Sequence, residues 1–153
     1  MKIALGADHV GFALKQRVCD YLQSRGIEVE DLGPPGTEPV DYPDYAEKVA
    51  MQVAAGQADY GILVCGTGLG MMIAANKVPG IRAVVAHDTI SARMAREHND
   101  ANILTLGGRM TDTAAMRQIV DTWLSSPFAG ERHRRRVEKI EALDRRLHSE
   151  KKA

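Results

Sequence analysis

"GILVCGTGLGMMIAANK", Gly61 to Lys77, decides how this chain folds. An apolar run climbs to Cys65. Gly66, Gly68 and Gly70 then alternate with Thr67 and Leu69, and a helix-like segment follows. A nearly continuous apolar run suits a parallel strand buried on both faces rather than a half-exposed one. Strand, glycine turn and helix in immediate succession make the repeating unit of an α/β sheet.

The same unit recurs on either side. Further β-like runs are "KIALGAD" (Lys2 to Asp8), "IEVEDLG" (Ile27 to Gly33), "IRAVVAHD" (Ile81 to Asp88) and "NILTLGG" (Asn102 to Gly108), with Tyr60 to Gly66 as the central one. Helical patterns lie between them. Gly11 to Arg25 places Leu14, Val18, Tyr21 and Leu22 on one face. Others cover about Tyr45 to Ala55, Gly70 to Asn76, Ser91 to Glu97, and the stretch "TDTAAMRQIVDTWLSS", where Thr111 or Asp112 suits an N-cap. From Glu131 onward "ERHRRRVEKIEALDRRLHSEKKA" reads as one more helix. Its narrow stripe of Val137, Ile140, Leu143 and Leu147 implies packing along the domain or against a neighbouring subunit. The expectation is one domain over residues 1–153, with a mainly parallel sheet between helices.

Composition narrows the function. Lys plus Arg and Asp plus Glu both number 20, so the chain is formally neutral and a general nucleic-acid binder is disfavoured. No apolar stretch is long enough to span a bilayer, and "MKIALGADHVGF" lacks a signal-peptide layout. The reading is a cytoplasmic protein without a membrane partner. The two cysteines, Cys19 and Cys65, make neither a disulfide framework nor a CxxC metal pair.

Open parallel sheets bind ligands at the carboxyl ends of their strands. Asp8 and His9 end the first run, Cys65 and "GTGLG" the central one, and His87 and Asp88 the fourth. "HND" (His98 to Asp100) precedes the fifth, and "GGR" ending in Arg109 follows it. Acid, imidazole, thiol, amide and guanidinium are expected to converge on one edge.

The glycine loop has two readings. It is a tight strand-to-helix turn, or its amides cradle a phosphate, carboxylate or developing oxyanion. A dinucleotide fingerprint fails, because Met71 stands where its last glycine belongs and the loop follows the third run. A Walker A loop fails for want of Gly-Lys-Ser/Thr. Cys65 is a small core residue or a thiolate base facing the helix start. Cys19 reads as structural, and His87 as more structural than catalytic. Asp8 and His9 suit a helix cap equally well, and His98 a helix C-terminal cation. Arg132 and Arg136, four apart on one face, either clasp a phosphate or belong to a solvated basic face.

The stretches "GADHVGFALK", "DYPDYA", "GILVCGTGLGMMIAANKVPGIRA", "REHNDANILTLGGR" and "GERHRRRVEKI" together resemble the type B ribose-5-phosphate isomerases, a group that includes galactose-6-phosphate isomerase subunits. The resemblance runs from Gly6 to Ile140. It implies a three-layer α/β/α, Rossmann-like fold with a five-stranded parallel sheet and an added C-terminal helix. It also implies a homodimer or tetramer with active sites at the subunit interface, and sugar-phosphate isomerisation with no metal and no cofactor. Carried over, Cys65 is the base, and the amides of Gly66, Gly68, Leu69 and Gly70 hold the enediolate oxygens. Thr67 assists proton transfer. His98 opens the furanose ring, with Asp8 nearby. Asn99 binds a sugar oxygen and Tyr42 lines the pocket. His9, Arg109, Arg132 and Arg136 bind phosphate, the last two from the partner. Relatives without the cysteine carry a glutamate where this chain has Met71, which agrees with Cys65 as the base.

Two alternatives stay open on the sequence: a hexose 6-phosphate (allose or galactose 6-phosphate) as substrate, and a non-catalytic sugar-phosphate-binding module.

Overall fold

The computed structural model describes residues 1–150. The elements alternate along the chain: β1 (Lys2–Ala7), α1 (Phe12–Ser24), β2 (Glu28–Asp31), α2 (Tyr42–Ala54), β3 (Tyr60–Cys65), α3 (Leu69–Ala75), β4 (Ala83–Val85), α4 (Thr89–Asn99), β5 (Ile103–Gly107), α5 (Thr113–Ser125) and α6 (Glu131–Glu150). The last three residues of the expected C-terminal helix, 151–153, lie outside the described residues. The strands form one five-stranded sheet in the order β2-β1-β3-β5-β4, and every pairing is parallel.

Burial explains why the central runs were the easiest to read. β1, β3 and β5 are covered on both faces and buried along almost their whole length. One face packs Ile3, Leu5, Ile62 and Leu104 against Leu14 and Val18 of α1, Ala92 of α4, and Met116 and Trp123 of α5. The other packs Ala4, Leu63 and Ile103 against Val49 of α2 and Met71 of α3. Two helical layers on one sheet give the expected three-layer α/β/α architecture, each buried leucine or isoleucine contributing roughly 1.5–3 kcal/mol.

The edges of the expected elements shift for local reasons. β2 and β4 are shorter than their apolar runs, since edge strands have one neighbour and are partly exposed. α2 begins at Tyr42 rather than near Tyr45, because Asp41 is extended and Pro43 suits a first helical turn. α4 begins at Thr89 and runs to Asn99, opened by a capping box between Asp88 and Ser91. Of the two candidate caps for α5, Asp112 takes the role and accepts from Ala115 N–H. Lys15, 1% exposed, turns from α1 to pair with both carboxylate oxygens of Asp31 at 2.6 Å, tying α1 to the sheet edge.

Gly11 precedes α1 with its α-carbon against the end of β3. A methyl group there would overlap the carbonyl of Val64, a backbone group that cannot swing aside. Gly11→Ala is expected to destabilise the fold by about 3 kcal/mol, the upper end of overpacking costs. Urea unfolding measures it, and a loss well under about 1 kcal/mol would show that α1 shifts freely against β3.

Candidate active site

In an all-parallel sheet, whatever follows a strand lies at one edge and whatever precedes a strand lies at the other. β1, β3 and β5 deliver Asp8 and His9, the 65–70 loop, and Arg109 to the carboxyl edge. Strand order reverses between β1 and β3, since β2 flanks β1 on one side and β3 flanks it on the other. β1 and β3 stay paired to their ends, but the chain leaves them toward opposite faces of the sheet, into α1 on one and α3 on the other, the arrangement that sets a crevice beyond the strand ends.

Cys65 closes β3 and is 4% exposed. Its Sγ accepts the Gly68 N–H at 3.2 Å, which holds the sulfur at the mouth of the glycine loop. The loop is pinned from β5. Gly108 N–H donates to Cys65 O at 2.6 Å, Arg109 N–H to Gly66 O at 3.1 Å, and Thr105 Oγ1 to Gly68 O at 2.9 Å. Gly68 has φ 81°, and a methyl group there would meet the Leu106 carbonyl. Thr67 is exposed and its Oγ1 accepts the Leu69 N–H at 3.3 Å. So two loop amides already have partners inside the loop. Those of Gly70 and Met71, in the first turn of α3, precede any carbonyl of their own helix. The Tyr42 ring lies over Gly70, where an added Cβ would come within 2.6 Å of it.

Asp8 is 6% exposed and its Oδ1 accepts Gly11 N–H at 2.8 Å, which closes the turn leading into α1; the N-cap of that helix is Gly11 and carries no side-chain capping bond, so the turn reading of Asp8 stands and the cap reading does not. His9 accepts the Val40 N–H on Nδ1 at 3.2 Å. The proton of its neutral ring then sits on Nε2, available to donate to an anion. Arg109 runs alongside Gly66, with Cδ and Nε each 3.7 Å from where a Cβ on that glycine would stand.

His98 and Asn99 do not join this cluster within one chain. They precede β5, at the C-terminal end of α4, which runs antiparallel to the strands and ends at the amino edge. Arg96, one half-turn earlier, donates to Tyr60 Oη at 3.0 Å, and Tyr60 is the first residue of β3 whereas Cys65 is the last. Five residue steps of a strand separate those ends by about 16 Å. The expected convergence on one edge is thus corrected. The order "HND" before a strand was itself the signal, because only residues after a strand reach the carboxyl edge.

A second cluster forms at the amino edge instead. Ala129 N–H donates to Glu97 O at 3.0 Å, and α6 begins beside the end of α4. Arg132 and Arg136 are exposed here with Asn99, and His98 is half-buried. Arg82 holds the turn: its guanidinium donates to Asn99 O at 3.1 Å, to Asp100 O at 2.9 Å and to Glu141 Oε1 at 3.0 Å. His133, which the basic run concealed, stacks on His98 with ring centroids 4.2 Å apart. Its signal was spacing, since it lies four residues before the buried Val137 on one face of α6.

The stripe of α6 is uncovered beyond Val137. Ile140, Leu143 and Leu147 are 46%, 46% and 47% exposed. They line a groove of about 520 Å³ with Ile81 and Arg82, away from the carboxyl-edge cluster. Among the described residues no group of His, Cys, Asp and Glu is arranged to hold a metal, and no helix is long and apolar enough to cross a membrane.

Comparison with known proteins gives a consistent result. The model of the Ribose/Galactose Isomerase family matches residues 3–140. The chain is 50% identical over 145 residues to ribose-5-phosphate isomerase B of Escherichia coli, covering 95% of this chain and 97% of that protein. It superposes on the solved ribose-5-phosphate isomerase B of Clostridium thermocellum with TM-score 0.95 and 54% identity, over 96% of this chain and 99% of that one. A ribose 5-phosphate isomerase from Thermotoga maritima matches with TM-score 0.90 and 54% identity, over 92% and 97%.

The two loop glycines differ in what surrounds them, which separates their expected effects. Gly68→Ala meets backbone at positive φ and should cost about 1–3 kcal/mol in urea unfolding. Gly70→Ala meets only the half-exposed Tyr42 ring, which can turn away, and should stay within about 0.5 kcal/mol of the parent protein. Equal losses at both positions would contradict the packing described.

Proposed function

The chain belongs to the ribose/galactose isomerase family, and on that footing we propose that it interconverts D-ribose 5-phosphate and D-ribulose 5-phosphate. The observation that carries the reading is Cys65, seated by the Gly68 amide at the mouth of the glycine loop in the β1/β3 crevice.

The reaction moves one proton between adjacent carbons of an open-chain sugar. Cys65, as thiolate, takes the proton from C2 of the aldose and returns it to C1. The electron pair left on C2 forms the enediol double bond, and the C1 carbonyl becomes an oxyanion. Removing a proton alpha to a carbonyl needs a base within reach and a stabilised oxyanion. Within the 66–70 loop and the residue beside it, the amides of Gly70 and Met71 in the first turn of α3 are the donors for that charge, while those of Gly68 and Leu69 bond Cys65 Sγ and Thr67 Oγ1. Thr67 passes the hydroxyl proton between O2 and O1. A single base serves both carbons when the intermediate is a planar cis-enediolate. Met71, wholly buried, supplies no acid of its own and leaves the base role to Cys65.

Phosphate binding accounts for the cationic groups. His9 Nε2 and Arg109 face it from the carboxyl edge, and their grip orients the distant reacting carbons. Ring opening needs His98, with Asp8 as its counterpart, and Asn99 holds a sugar oxygen. His98, Asn99, Arg132 and Arg136 stand some 16 Å away in their own chain, the length of β3. We therefore assign all four to a neighbouring subunit in a homodimer, where a two-fold axis brings the amino-edge cluster of one protomer to the carboxyl edge of the other. The uncovered stripe of α6 is apolar surface of the kind that such contacts bury. Further pairing of dimers into tetramers would use other faces. The whole chain acts as one isomerase domain, in the cytoplasm.

Cys65→Ala should lower turnover of ribose 5-phosphate at least about a thousandfold, the scale of losing an acid–base group, while phosphate-ligand affinity stays within about threefold. Near-normal turnover would exclude Cys65 as the base. A panel of pentose and hexose phosphates assayed with the parent protein tests the substrate, and a higher kcat/KM on allose or galactose 6-phosphate would replace ribose in this assignment.

Shared sites predict which inactive variants rescue each other. Cys65→Ala mixed with Arg136→Ala, or with His98→Ala, should regain about a quarter of parent activity at random subunit exchange, through one intact site per hybrid dimer. His98→Ala mixed with Arg136→Ala should regain none, because both residues come from the same protomer. The opposite pattern, measured after confirmed exchange, would place His98 in the site of its own chain.

A further inference from the structure

The basic run at the start of α6 holds one side chain that the proposed reaction leaves unused. His133 turns inward and is 8% exposed, whereas Arg132 and Arg136 on either side of it are exposed. Its imidazole lies flat on that of His98, with centroids 4.2 Å apart and planes 8° apart. Arg132 presents its Nε–H to His133 Nε2 at 3.5 Å, a long contact from the far edge of the ring. The segment is held at both ends. Ala129 is bonded to the end of α4, and Val137, one turn on, is buried.

We propose that His133 is a positioning residue for ring opening: stacked on His98, it fixes the plane in which that imidazole meets the sugar ring in the partner's site. This rests on the isomerase reading above. A histidine in the last turn of a helix, half-exposed, would otherwise sample several rotamers, and the ordering cost would fall on each catalytic event. The stack removes that freedom before substrate arrives.

A face-to-face pair has a second consequence. Two imidazolium rings at this separation repel, so one proton at most is carried between them. Burial, and then the neighbouring His98, Arg132 and Arg136, hold His133 below its usual range, with Glu131 alone opposing. That keeps the ring beneath His98 neutral, with its π face toward the His98 imidazole.

The chemistry offers a clean separation. Ribose 5-phosphate is a furanose. Opening it breaks the C1–O4 bond, O4 gains a proton from the donor, and the anomeric O1 loses its own. Ribulose 5-phosphate cannot close through its phosphorylated O5, so it meets the enzyme as an open chain. Exchange of its C1 proton with D2O therefore reports proton transfer at Cys65 with no ring opening, whereas turnover of ribose 5-phosphate requires both.

His133→Ala should lower kcat/KM for ribose 5-phosphate about tenfold, as expected of a misplaced acid, while deuterium exchange into ribulose 5-phosphate stays within about twofold. His133→Phe keeps a flat ring on His98 and should restore most of the forward rate. An unchanged forward rate in His133→Ala overturns the proposal, as does an equal fall of both reactions in both variants, which would mark a merely structural residue. If His133→Ala does not fold, the Phe variant decides. Near-normal turnover supports the stack, and a tenfold forward loss with exchange intact overturns it. Absence of exchange in the unaltered protein would overturn the isomerase reading itself, and the proposal with it.

Discussion

A parallel sheet sends the end of every strand in the same direction, and the rest of this molecule follows from that. Strand ends carry Asp8, His9, Cys65 and Arg109 to one edge. Helix ends carry His98 and Asn99 to the other, next to the start of α6. Backbone pairing between β3 and β5 is fully buried, so neither cluster can drift toward the other without breaking the core. In the proposed dimer, symmetry would join the two clusters into one site, a second copy supplying the missing half with no change in fold.

The glycine loop shows how tightly the carboxyl edge is specified. Gly68 adopts a left-handed backbone because the chain must turn from β3 into α3 within the space left by Val85 and Leu106. That turn aims one amide at Cys65 Sγ and presents the first turn of α3 to the crevice. Thr105, buried in the neighbouring strand, secures the Gly68 carbonyl. A loop fixed in this way suits the proposed oxyanion role, since preorganised dipoles need not turn during a reaction.

The amino edge is organised by side chains instead. Arg82 bonds the Asn99 and Asp100 carbonyls and reaches Glu141, joining the end of α4 to α6 in one cross-link. Asp100 sits at φ 46°, a conformation that aspartate adopts more readily than most residues and that these bonds support. His98 and His133 stack within this frame. The cluster is thus as ordered as its counterpart, though nothing in its local sequence repeats a known anion loop.

Much of this was legible from the chain alone. The apolar runs marked the central strands because a strand buried on both faces has no polar alternation to blur it. Met71 separated the loop from a dinucleotide fingerprint and, with Cys65, pointed to a thiol base. Edge strands and helix starts were less legible, since they depend on single capping bonds such as Asp88 with Ser91. What only the tertiary structure decided is the separation of the two clusters within one chain. Residue type and spacing place His98 beside a glycine loop in the mind of a reader, but the direction of α4 places it a strand's length away. The stack on His133 is of the same kind: it joins residues 35 positions apart, and only the docking of α6 on α4 brings them into contact. The sequence by itself determined the fold class and the family, because these rest on local pattern. Which groups share one site is a property of three-dimensional direction, which local pattern does not encode.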